Sequence, residues 1–92
     1  MIVSFADKDT ADLFAGRRVK RFANLAAVAE RKLQQIDSAV TLDALRSPPG
    51  NRLEALAGNR KGQHSIRIND QWRICFVWKI SDAFEVGITD YH

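Results

Sequence analysis

The side chains of this sequence best suited to chemistry on a phosphate are two arginines and a run of three polar residues. Arg67 alternates with Ile66 and Ile68, and Arg73 with Trp72 and Ile74, so both arginines fall on the face of their strands opposite the apolar residues. The intervening Asn69-Asp70-Gln71 turn brings the two guanidiniums near each other. Two close cations repel unless an anion sits between them, and planar forked donors match a phosphate bidentately. The same residues also admit a plainer reading, a pair of surface arginines bridged to Glu54, Glu85 or Asp90. Asp90-Tyr91-His92 follows an apolar strand and sets a carboxylate, a phenol and an imidazole in consecutive positions. In an ordinary sequence such residues are a frayed polar end. Beside Arg67 and Arg73, His92 and Tyr91 complete the parts for RNA cleavage without a metal, namely charge stabilisation and proton transfer.

Other chemistries find less support. With Cys75 as the one cysteine and only His64 and His92 as imidazoles, no close-spaced Cys/His pair of the zinc-binding kind is present, and no intrachain disulfide can form. No cofactor is expected. Cys75 reads as a small core residue of a reducing compartment. The net charge of +3 matters only if localised, and residues 52–73 alone carry five cations against two anions. Arg52, Arg60 and Lys61 are therefore candidate RNA-binding residues beside the two arginines. A second basic cluster, Arg17-Arg18-Val19-Lys20-Arg21, suits an anionic partner but is more simply a solvated connection.

The elements that must position these groups follow from hydrophobic periodicity. At 92 residues the chain is expected to form one domain, 1–92, around one core. It contains no apolar run long enough for a membrane span and no basic run ahead of Met1-Ile2-Val3-Ser4-Phe5, so the expected address is the cytoplasm. Ile2 to Phe5 predicts a strand, Asp7 caps a helix over 8–15, and Gly16 ends it. Leu25, Val28, Ala29, Leu33 and Ile36 form one helical stripe, with Asn24 as the cap of a helix over 24–36. A short turn is expected over Leu42–Leu45, and Ser47-Pro48-Pro49-Gly50 predicts an extended loop. Beyond Gly50 the period becomes two, with strands around 52–57, Ile66, Trp72–Trp78 and Phe84–Ile88 joined by short turns. The prediction is an α+β fold: an N-terminal strand and two to three helices on one face of a mostly antiparallel, four- to five-stranded sheet.

Trp72, Phe76 and Trp78 share the face of Ile74 and read as core. His64 shares the parity of Ile66 and Ile68 and reads as a hydrogen-bonded structural histidine. Strict alternation from Phe84, Val86 and Ile88 leaves only Tyr91 with the arginines and sends Asp90 and His92 to the helix side, unless Gly87 permits a bulge.

The stretch Gly58-Asn59-Arg60-Lys61-Gly62-Gln63-His64-Ser65-Ile66-Arg67-Ile68-Asn69-Asp70-Gln71-Trp72-Arg73-Ile74-Cys75-Phe76, followed by Asp90-Tyr91-His92, resembles the HigB plasmid-maintenance killer toxins of the RelE-like superfamily. The opening Met1 to Phe5 and the Glu30-Arg31-Lys32-Leu33 to Ile36-Asp37 helix end also look like that family. The resemblance implies a ribosome-dependent endoribonuclease that cuts translated mRNA in the small-subunit decoding site. It also implies neutralisation by a HigA-like helix-turn-helix antitoxin, through which alone operator DNA is contacted, and no membrane partner. By the same resemblance His92 transfers a proton, Tyr91 and Asp90 assist it, and Arg73 binds phosphate; Arg67 is added from strand parity. Some relatives present a His and a Lys near the site from the 52–57 strand, where this chain has Glu54 and Ala57. That departure keeps a second reading open, a basic RNA- or protein-binding module without chemistry.

Overall fold

The computed structural model describes residues 1–91. Helix α1 spans Lys8–Phe14 and α2 spans Ala26–Ser38. Strands β1 (Glu54–Ala55), β2 (Gln63–Arg67), β3 (Trp72–Lys79) and β4 (Asp82–Asp90) form an antiparallel sheet in that order. The opening segment runs parallel to β4 through single bridges, Ile2 to Ala83 and Phe5 to Val86, so the expected first strand is present as an edge segment. Both helices contribute to one core with the sheet, in which Leu13, Phe22, Leu33, Ile36, Ile66, Ile74, Phe76 and Val86 are buried.

Local chemistry accounts for α1. Asp7 is extended at φ −150°, and its carboxylate accepts from the Thr10 N–H at 2.7 Å and the Thr10 hydroxyl at 3.1 Å. The buried Thr10 Oγ1 also accepts from the Ile88 N–H at 3.0 Å, which ties the helix to β4. A Cβ on Gly87 would lie 3.0 Å from the Ala6 Cβ and 3.2 Å from Asp7 Oδ2, so a larger residue there would have to push its neighbours aside by a few tenths of an ångström. Asp7→Ala is expected to cost about 1 kcal/mol, the usual worth of an N-cap, read as a lower midpoint in urea unfolding.

The bulge that sequence would place at Gly87 lies at Glu85 instead. Register passes from Cys75 opposite Gly87 to Val77 opposite Phe84, and Glu85 takes a left-handed φ of 53°. Phe84 is consequently on the Val77 side, under the Lys79 ammonium, while Val86 and Ile88 stay in the core. Three other predicted details differ. Helix α2 begins at Ala26 without a side-chain cap, because Leu25, not Asn24, flanks it and is drawn into the core beside Phe22. The 52–57 strand shrinks to Glu54–Ala55, because Arg52 turns left-handed at φ 45°. The proline loop closes as a short 3-10 turn over Pro49–Asn51. The Leu42–Leu45 turn is found, extended by one residue as a 3-10 helix over Leu42–Arg46.

Candidate active site

The site lies on the sheet face away from the helices, at the β2–β3 turn. Arg67 and Arg73 are direct cross-strand partners, as strand parity requires. They are not bare cations, however. Arg67 pairs with Asp70, three positions past the strand end, and its side chain keeps 30% of its exposure. Arg73 is far more enclosed, at 12%, and lies 3.7 Å from the Glu54 carboxylate. The plainer sequence reading is thus realised in part, with Asp70 as an unforeseen partner and with Glu54; two like charges opposite each other on one face recruit carboxylates.

What distinguishes Arg73 is the number of neutral groups that hold it. Its Nε donates to Ser65 Oγ at 2.7 Å, and Nη2 donates to the carbonyls of Arg52 at 2.6 Å and Ser65 at 3.3 Å. A guanidinium has five N–H donors, so the Nη1 pair is left without a protein acceptor among the described residues. One edge of the fork is anchored and the other can meet an anion. Ser65 escaped the sequence reading although its parity with Arg67 was available; it is fully buried and polar, and its duty is to Arg73.

Tyr91 leaves the end of β4 and returns to the arginine face. Its N–H donates to the Gln71 carbonyl at 2.7 Å, and its hydroxyl lies 3.7 Å from Cys75 Sγ. Cys75 is therefore buried, as expected of a core residue, but on the site side of the sheet. Burial and the Cys75 contact raise the Tyr91 phenol above its ordinary value, against the opposing pull of Arg60 and Arg73. Tyr91 is thus a neutral donor at physiological pH. The folded chain holds this proton more tightly than the unfolded one, so the associated stability is present below pH 10 and is lost as pH rises through the folded value. The urea midpoint is expected to fall less between pH 9 and 11 in Tyr91→Phe than in the parent.

The remaining candidates divide. Asp90 pairs in register with Trp72, on the side of the Phe22 ring, and its Oδ2 accepts from Gln71 Nε2 at 3.1 Å. The Glu85 bulge lies too early to change that parity, so Asp90 is not brought to Arg73. His92 lies outside the described residues. Arg60 sits in a 3-10 turn over Gly58–Arg60 with Nη1 donating to Gln63 Oε1 at 3.3 Å, close enough for its charge to act on Tyr91. Lys61 follows it, exposed, and Gly62 at φ 95° turns the chain into β2. Arg52 is also exposed, and its carbonyl reaches Arg73.

Elsewhere, Arg17 pairs with Asp12 and Arg21 with Asp9, so half of the cations in the Arg17–Arg21 cluster are committed within the chain. His64 stacks on Phe76 at 6.4 Å, and its buried Nδ1 has no hydrogen-bond partner among the described residues, unlike the hydrogen-bonded histidine expected. Among the described residues no group of three His, Cys, Asp or Glu side chains is placed to hold a metal, and no helix is long and apolar enough to cross a membrane.

Residues 3–92 match the HigB-like family of RelE-like toxins of type II toxin-antitoxin systems. The chain belongs to this family. Among similar proteins, "Toxin HigB-1" of Vibrio cholerae serotype O1 is 54% identical over 48 residues, which cover 52% of this chain and 50% of that protein. "Endoribonuclease HigB" of Proteus vulgaris is 36% identical over 61 residues, 66% of this chain and 65% of that protein. The matches thus span about half to two thirds of these relatives. The crystal structure of a YafQ variant from E. coli superposes with a TM-score of 0.61 over 99% of this chain and 92% of that one, at 13% identity. The α+β fold is therefore shared well beyond detectable sequence likeness.

Proposed function

We propose that this toxin is a ribosome-dependent endoribonuclease that cleaves translated mRNA by acid–base chemistry and so inhibits translation. The observation that carries the reading is Arg73, anchored on one edge and open on the other, with the neutral phenol of Tyr91 on the same face. The name of the Proteus vulgaris relative supports the same activity.

In this reaction the 2′-OH of the message attacks the adjacent phosphodiester and the 5′-oxygen leaves, yielding a 2′,3′-cyclic phosphate and a 5′-OH. Arg73, with Arg67 across the ladder, stabilises the charge that develops on the phosphate. His92 moves the proton, with Tyr91 and Asp90 as helpers; Asp90 acts from the far side of the sheet edge, through Gln71 and the chain it shares with Tyr91. Arg52, Arg60 and Lys61 line the approach for the backbone of the message. The half-buried Trp72 and Trp78 pack against the core, so few aromatic rings are free to splay RNA. The chain therefore needs the small-subunit decoding site to orient its substrate. A HigA-like helix-turn-helix antitoxin is its partner in the cytoplasm and carries any contact with operator DNA.

A second reading rests on the carboxylates that face both arginines: a binding module that holds RNA or protein without cutting it. Mapping message ends in cells separates the two. Induction is expected to create new 5′-OH ends inside translated frames, absent from untranslated RNA and lost in His92→Ala and Arg73→Ala. Cleavage of naked RNA at the same rate would remove the ribosome from the reading, and unchanged message ends would favour the binding module.

A further inference from the structure

Behind Arg73 lies a buried polar node that no part of the mechanism above uses. Asn51 is fully buried, and Lys32, in the middle of the apolar stripe of α2, is 7% exposed. The Lys32 ammonium donates to Asn51 Oδ1. The Asn51 amide donates to Gln35 Oε1 at 3.0 Å and to the carbonyls of Leu45 at 3.1 Å and Ser47 at 3.2 Å. A buried ammonium is costly, and burial, with the charges of Arg31 and Arg67, pulls its proton affinity down. Apolar contact would suit this position of the helix better if packing were the only demand.

The next residue shows what the node holds. Arg52 is left-handed at φ 45°, a conformation that a non-glycine residue keeps only where its surroundings over-determine it. In that conformation its carbonyl accepts from Arg73 Nη2 at 2.6 Å, which is 21 residues away in sequence. The bonds of Asn51 tie the end of the Pro49–Asn51 turn to the segment before it, at Leu45 and Ser47, and to the helix beneath, at Lys32 and Gln35, so they set where Arg52 begins. Without them Arg52 can relax to ordinary backbone and withdraw its carbonyl. Arg73 would then swing toward Glu54, 3.7 Å from its Nε, loosening the Nε bond to Ser65 and misaiming the open Nη1 edge.

We propose that Asn51, braced by Lys32, is a positioning residue for Arg73, acting through the strained carbonyl of Arg52. This rests on the reading of Arg73 as the phosphate ligand. The test uses the full-length chain in single-turnover cleavage of message on programmed ribosomes, comparing parent, Asn51→Ala, Arg73→Ala and the double variant. Asn51→Ala is expected to lower the maximal rate by about 10- to 100-fold with little change in half-saturation, because small misplacements act on the transition state. In the Arg73→Ala background the same change is expected to alter the rate less than about twofold, since the group it positions is gone. A purely structural role would instead lower the rate by the same factor in both backgrounds.

A second readout needs no ribosome. The Arg73 Nε–H, donated to Ser65, is expected to exchange slowly with solvent in the parent and at least about tenfold faster in Asn51→Ala, with Ile66 and Ile74 amides unchanged. Should Asn51→Ala fail to fold, Lys32→Met removes the brace while sparing the core a buried charge, and the Arg73 Nε–H should again exchange faster. Independent, additive rate losses, or an unchanged Arg73 signal in the folded variants, would overturn the proposal while leaving the catalytic reading intact. Parent-like cleavage by Arg73→Ala would instead overturn the catalytic reading and the positioning role with it.

Discussion

Arg73→Ala is expected to slow message cleavage by about 10²- to 10³-fold, the range seen when one preorganised donor to a developing oxyanion is removed. The size follows from how the side chain is held. Three acceptors, Ser65 Oγ and the carbonyls of Ser65 and Arg52, fix the guanidinium before any substrate arrives, so little reorganisation is left for the reaction. Its enclosure, at 12% exposure, also limits solvent screening of the interaction with phosphate. Arg73→Lys should recover little of the loss, because one ammonium cannot serve those acceptors and a phosphate together. Arg67→Ala should cost less, since Arg67 is more exposed and paired with Asp70. Quenched-flow cleavage on programmed ribosomes measures all three. Equal losses for Arg67→Ala and Arg73→Ala would mean that net positive charge, and not the anchored fork, is what the reaction uses.

Phe76→Ala is expected to destabilise the chain by about 3–5 kcal/mol, the usual cost of emptying a buried phenylalanine site. The ring is fully buried at the centre of β3, between His64 and Trp78 at 6.4 Å each. For a domain of this size, with total stability of roughly 5–15 kcal/mol, such a loss leaves little margin. The melting temperature should fall by roughly 15–30 °C, at about 4–8 °C per kcal/mol. Phe84→Ala is the informative comparison. Strict alternation along β4 would make Phe84 a core residue like Val86, whereas the Glu85 bulge puts it across the sheet under Lys79. Its replacement should therefore cost less than half as much. Equal costs in urea unfolding would contradict the observed register.

How much of this was legible beforehand differs by feature. Period-two alternation sufficed for the cross-strand pairing of Arg67 with Arg73 and for Phe76 in the core, because alternation is a property of each strand by itself. The same rule correctly kept Asp90 away from the arginines and set Tyr91 beside them. It failed at Phe84, because a bulge arises from how two strands meet and not from either one; Gly87, the residue that invited a bulge, lies close against Ala6 instead. The burial of Lys32 was not legible in the sequence, since nothing within a turn of it announces a partner 19 residues on.

The family signature and the alternation of residues 63–90 determined fold class and the face shared by Arg67 and by Arg73, the candidate phosphate ligand, since each is written in neighbouring residues. Only the tertiary structure decided what holds that arginine. The Arg52 carbonyl, the buried Ser65 and the Lys32–Asn51 node come together from separate elements. Their arrangement depends on packing and on satisfying buried polar groups across the whole chain, which no local pattern encodes.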